Sequence, residues 1–138
     1  MSEPGPRACS RNFPGTIEAA EDAEMWIARQ ASVLGLGADA EFAINVCLEE
    51  LFLNAVQHGR ANQATISVCA EPSGVTVEFV DDGEPFDPTT APARRITSPT
   101  EDFKIGGYGI GLMQKFSRRM SYRRSEGMNR LVLEFDAG

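Results

Sequence analysis

The sequence predicts an α+β fold, a two-layer sandwich in which a mixed, mostly antiparallel sheet carries helices on one face. Three observations lead there. Apolar residues recur at helical spacing in two successive stretches, 17–34 and 38–58; the period then falls to two in ATISVCAE and GVTVEFVDD; and a second alternating pair closes the chain after a short third helix. With 138 residues, 42% of them apolar, the chain can bury one sizeable core, so a single domain over 1–138 is expected.

Residues 1–6 carry two prolines and a glycine and are expected to be flexible, while 7–13 can form a first strand that Pro14 and Gly15 end. Thr16 can cap the first helix, whose stripe is Ile17, Ala20, Ala23, Ile27, Ala31 and Leu34, and Gly35 to Gly37 stop it. In the second helix the apolar positions are Phe42, Ile44, Leu48, Leu51, Phe52 and Ala55, ending at Gly59. Two strands follow, turning at Pro72 to Gly74. The segment 87–107, DPTTAPARRITSPTEDFKIGG, is too long for an ordinary connection, and loops of that size are usually functional or disordered. A helix at about 109–118 and strands at about 120–124 and 130–136, joined around Glu126 and Gly127, complete a βααββ(loop)αββ order without internal repeats.

Composition narrows the function classes. A net charge of -7 and a pI near 4.7 argue against a phosphate-backbone binder, because counterion release needs a clustered basic surface. No apolar run reaches the roughly 18 to 20 residues of a membrane span, and MSEPGPRACSR lacks the apolar middle of a signal peptide, so a cytoplasmic protein without direct nucleic-acid or membrane contact is expected. Cys9, Cys47 and Cys69 are too dispersed for a zinc or redox site and read as buried or incidental thiols.

Three stretches can carry chemistry. In CLEELFLNAVQHG, Glu50 and Asn54 lie about 40° apart on a helical wheel beside the apolar stripe, whereas Glu49 turns towards solvent. A carboxylate and a carboxamide one turn apart suit proton abstraction and coordination of a hard cation; they also fit the plain boundary of an amphipathic helix. In VEFVDDGEPFDP, Asp81 at a strand end can accept a hydrogen bond from the exocyclic amine of adenine, with Gly83 allowing close backbone approach; a turn of solvated acids is the alternative. In KIGGYGIGLMQKF, glycines precede a helix and can present N–H groups to phosphate. Neither the Walker A spacing nor a dinucleotide fingerprint is matched.

In this order E-x-x-x-N, D-x-G and G-x-G-x-G-L resemble the N, G1 and G2 boxes of the GHKL (Bergerat-fold) superfamily of ATP-binding proteins. The short chain, the D-D-G-x-P-F-D-P form of the second box and the ending Y-R-R-x-x-G-x-N-x-L are similar to the stand-alone anti-sigma-factor serine/threonine kinases, over about 16–135. The resemblance implies ATP and Mg2+ as cofactors, Glu50 as the general base and Asn54 as the magnesium ligand. It further implies Asp81 and Gly83 at adenine, Gly107, Tyr108, Gly109, Ile110, Gly111 and Leu112 along the phosphates, and 87–106 as the lid over ATP. Arg94, Arg95 and Lys104, in or beside that lid, are candidates to reach the γ-phosphate or ordinary solvated charges. His58 matches a polar position one turn beyond Asn54 and fits a helix-capping residue equally. Two residues depart from the pattern. Pro85 replaces the second glycine of D-x-G-x-G, which should stiffen the turn; Met128 and Asn129 stand where a threonine is expected, with Asn129 the candidate for a water-mediated contact near adenine.

The implied function is an anti-sigma factor with kinase activity towards a STAS-domain antagonist, acting as a homodimer that also binds a sigma factor. An ATP-dependent switch that transfers no phosphate is the competing reading, and retention of Glu50 favours the kinase. A histidine-kinase catalytic domain would need a separate helix pair bearing a phosphorylatable histidine, for which 138 residues leave no room.

Overall fold

The computed structural model describes residues 7–89 and 109–137. Along the chain come β1 (Arg7–Pro14), α1 (Ala19–Leu34), α2 (Ala38–Gln57), β2 (Gln63–Glu71), β3 (Gly74–Asp81), α3 (Gly109–Phe116), β4 (Arg119–Ser125) and β5 (Met128–Phe135), the predicted order. The sheet runs β1-β2-β3-β5-β4. Every pairing among the described residues is antiparallel, where the sequence had allowed a mixed sheet. The physical reason is the insertion of β5 between β3 and β4: those two strands run the same way but never touch as neighbours.

Alternation decides which face is covered. On β3 and β5 the buried positions pair across the ladder, Val75 with Phe135, Val77 with Leu133 and Phe79 with Leu131. One strand further out, Ile66 opposes Phe79 and Val68 opposes Val77, so one continuous apolar surface meets the helices. The helical layer meets it with Ala23, Trp26 and Ile27 of α1 and Ile44, Leu48, Leu51 and Phe52 of α2. Aromatic rings tie the layers together edge to face: Phe13 to Trp26 at 5.9 Å, Phe13 to Phe52 at 6.2 Å and Phe52 to Phe79 at 5.1 Å between centroids.

Local signals explain the boundaries. The Thr16 hydroxyl accepts the Ala19 N–H at 3.2 Å, but residues 16–18 form a turn and α1 begins at Ala19. Ile17 therefore drops out of the helical stripe and is 44% exposed. At the other end Gly35 takes a left-handed φ of 73° and donates its N–H to the Ala31 carbonyl. Asp39 and Glu41 occupy the first turn of α2, where the helix dipole favours acids. Phe42, placed in the core by periodicity, is 60% exposed and rests edge-on against Phe116 of α3 at 5.6 Å. Glu126 and Gly127 both have positive φ, 54° and 74°, as a two-residue hairpin of the primed type requires.

Among the described residues no helix is long and apolar enough to cross a membrane, and no group of three or more His, Cys, Asp or Glu could hold a metal. The Cys47 thiol is buried, and burial followed by the charge of Glu50 pushes it up to about 12, which keeps it unreactive. Cys9 and Cys69 are half-buried.

Phe52 is fully buried and joins α2 to two strands of the sheet through Phe13 of β1 and Phe79 of β3. Phe52→Ala is expected to lower the unfolding free energy by roughly 3–5 kcal/mol, read from the urea midpoint.

Candidate functional site

The C-terminal half of α2 lies over the ends of β3 and β5, with a narrow cleft between them. Leu51, Ala55, Phe79, Phe86 and Leu131 supply apolar walls, and Asn54, Asp81, Tyr122 and Asn129 supply the polar groups. Few, convergent polar groups in a mainly apolar recess are the usual make-up of a small-molecule site.

On the helix side, Glu50 is half-buried and Glu49 exposed, as the helical wheel predicts. Glu50 Oε2 is buried without a hydrogen-bond partner among the described residues, and burial, then the charge of Glu49, raise its carboxyl above the ordinary value. Asn54 is 5% exposed, lines the cleft, and leaves its Nδ2 buried without a partner among the described residues. Unsatisfied buried polar atoms are rare in stable folds, so this pair is set up for something other than its own helix. Their side-chain oxygens suit a hard cation, although the described residues hold no complete cage; any such ion would have to share its coordination with a ligand. His58 forms the helix C-cap, where its N–H bonds to the Asn54 carbonyl at 2.9 Å; its ring stacks on Phe86 at 5.1 Å and 10°.

On the sheet side, Asp81 ends β3 and lies directly opposite Asn129, the second residue of β5. Asp81 Oδ1 accepts the Gly83 N–H at 2.9 Å and Asn129 Nδ2 at 3.0 Å; Oδ2 has no hydrogen-bond partner among the described residues. Burial raises the Asp81 carboxyl, opposed by the Asn129 and Gly83 hydrogen bonds, with the charge of Asp82 raising it and that of Arg124 lowering it. Neighbouring Asp82 acts on the backbone instead, where its Oδ1 accepts the N–H groups of Asn62 and Gln63 and pins the entry to β2.

The two sides meet through glycine. Glu84 N–H bonds to the Gly59 carbonyl at 2.7 Å, and a Cβ on Gly83 would come within 2.7 Å of that same oxygen and 2.9 Å of Asp81 Oδ1. Gly83 thus lets the end of α2 dock on the exit of β3.

Of the other sequence-identified positions, Gly109, Ile110 and Gly111 form the first turn of α3, whose N–H groups have no intrahelical acceptor. Leu112 continues that helix. Gly107, Tyr108, Arg94, Arg95, Lys104 and the lid beyond Thr89 lie outside the described residues. Sequence reasoning missed Tyr122, whose hydroxyl donates to Asn129 Oδ1 at 2.6 Å, and Arg124, whose Nη1 donates to the Gly83 carbonyl at 2.7 Å. Both stand in the Y-R-R-x-x-G-x-N stretch, and the two-residue turn between the strands is the signal that would have brought them onto one face with Asn129.

A family model described as a histidine kinase-like ATPase domain matches residues 13–135. A serine/threonine-protein kinase of Bordetella bronchiseptica, BtrW, is 29% identical over 122 residues, covering 86% of each chain. Among solved structures, the RsbU and RsbW domains of a Mycobacterium tuberculosis protein superpose with a TM-score of 0.66 at 13% identity. That match covers 94% of this chain and 32% of the other, so this chain spans about a third of that one and shares its fold.

Gly83→Ala is expected to destabilise the protein by roughly 1–3 kcal/mol, because neither the Gly59 carbonyl nor Asp81 can retreat without losing a hydrogen bond; urea unfolding reads the loss. Glu50 gives a pH test. Its folded-state carboxyl is raised above 4.5, so over the window above that value the native chain holds a proton that the unfolded chain has released, and stability falls as pH rises through it. Glu50→Gln, uncharged throughout, is expected to resist urea better than wild type at neutral pH and to lose that advantage below about pH 4.5.

Proposed function

Because the chain belongs to the histidine kinase-like ATPase domain family, we propose that it binds ATP in the α2–sheet cleft and is a protein serine/threonine kinase. Its substrate on this reading is a STAS-domain antagonist, and the kinase is a cytoplasmic anti-sigma factor that works as a homodimer in a partner-switching pathway. In its favour are the kinship with a serine/threonine-protein kinase of Bordetella bronchiseptica and the fold shared with an RsbW domain.

The observation that carries the reading is Glu50, a carboxylate with a buried, unpartnered oxygen one helical turn before a buried asparagine. A switch that only binds nucleotide has no use for a raised carboxyl there, whereas a general base works better as its pKa climbs towards the working pH. The partner's hydroxyl oxygen attacks the γ-phosphorus as its proton passes to Glu50. The bond from that phosphorus to the β,γ-bridging oxygen breaks, and ADP leaves. Asn54 Oδ1 would hold a magnesium ion brought in with the nucleotide, which supplies charge neutralisation on the phosphate oxygens. Asp81 offers an oxygen to the adenine amine, Gly83 keeps the adjoining turn close, and the first-turn N–H groups of α3 at Gly109 to Gly111 face phosphate. Positioning and electrostatics do the remaining work, as phosphoryl transfer requires few covalent helpers.

With labelled ATP, magnesium and candidate STAS proteins, label is expected to move to a serine or threonine of one of them. Glu50→Gln should abolish that transfer while ATP binding persists; equal labelling by the variant removes Glu50 from the chemistry. A monomeric mass in solution would count against the homodimer.

A further inference from the structure

Asn129 has no polar valence left for a ligand. Its Nδ2 donates to Asp81 Oδ1 at 3.0 Å and to the Glu84 carbonyl at 2.8 Å; its Oδ1 accepts the Phe86 N–H at 3.3 Å and the Tyr122 hydroxyl at 2.6 Å. A carboxamide offers two hydrogens and two lone pairs, and all are used inside the protein. The side chain is 5% exposed, so these bonds are sheltered from water.

The pattern has a direction. Glu84 C=O and Phe86 N–H flank Pro85, which has no N–H of its own, and the Asn129 amide bridges them as a neighbouring strand would. The same amide hydrogen-bonds one oxygen of Asp81, which also takes the Gly83 N–H; Asp81 lines the cleft, and its Oδ2 has no hydrogen-bond partner among the described residues. A hydroxyl at position 129 has one hydrogen and could not serve Asp81 and Glu84 together.

We propose that Asn129, oriented by Tyr122, is a positioning residue that fixes which oxygen of Asp81 meets the purine 6-substituent and so sets selectivity for a 6-amino base over a 6-oxo base. It rests on the proposed adenine-nucleotide site, and deepens it. An amine at that position donates to Oδ2, whereas a 6-carbonyl confronts it with a second acceptor. With the Asn129 bond gone, only the Gly83 N–H holds Oδ1, and the carboxylate has more freedom to turn and blur that distinction.

The test compares ADP and IDP binding by calorimetry in wild type, Asn129→Ala and Tyr122→Phe. Wild type is expected to prefer ADP by at least about tenfold. Asn129→Ala should cut the preference about tenfold and Tyr122→Phe about threefold, both with IDP affinity held within about twofold of wild type. Equal weakening of both nucleotides, or an unchanged ratio, overturns the proposal and leaves a purely structural role. Absence of ADP preference in wild type overturns the adenine-nucleotide reading itself, and the proposal with it. Should Asn129→Ala fail to fold, Tyr122→Phe, which removes one hydroxyl, decides alone by the same ratio.

Discussion

Everything at the cleft depends on one backbone contact, the Glu84 N–H on the Gly59 carbonyl. It closes the end of α2 onto the exit of β3, and it exists only because position 83 has no Cβ to fill the gap. It brings together polar groups from separate elements, Asn54 on a helix and Asp81 on a strand. The edge-to-face rings behind them, Phe13, Phe52 and Phe79, hold the same helix against the same strand from the core side. The cleft is therefore braced front and back, as a preorganised site must be.

Electrostatics run against stability in this arrangement. Two carboxyls, Glu50 and Asp81, are raised by burial, and three buried polar atoms of α2, on Asn45, Glu50 and Asn54, go without partners. A sequence selected only for folding would have placed apolar side chains there or solvated the acids. Asp82 shows the contrast one residue from Asp81: its carboxylate is committed to two backbone N–H groups, and its effect is to fix a loop.

Periodicity made most of the fold legible. The α2 stripe and the two-residue alternation of β2, β3 and β5 reflect burial directly, so the elements and the two hairpins followed from side-chain type, whereas the pairing of β5 with β3 did not. Ile17 and Phe42 escaped because periodicity registers a face without saying whether anything covers it; Phe42 faces α3 only at the rim. Glu50, Asn54 and Asp81 were legible as candidates because their spacing matched known boxes. Asn129 was legible only as a departure, since its role comes from register: Asp81 opposite Asn129, and Arg124 opposite Asn129, are facts of strand pairing that no local motif encodes.

That register also changes the meaning of the other departure. Proline at position 85 removes a donor from the turn beside the cleft, and taken singly it looks like a loss of hydrogen-bonding capacity. Asn129 bonds the carbonyl before it and the N–H after it, so the turn is satisfied on both sides of the ring that cannot contribute. The amide also bonds Asp81 directly, because it has a hydrogen to spare once Glu84 is served. Pro85 and Asn129 thus act as one structural unit: the carboxamide ties the backbone groups on both sides of the proline to the adjoining strand end.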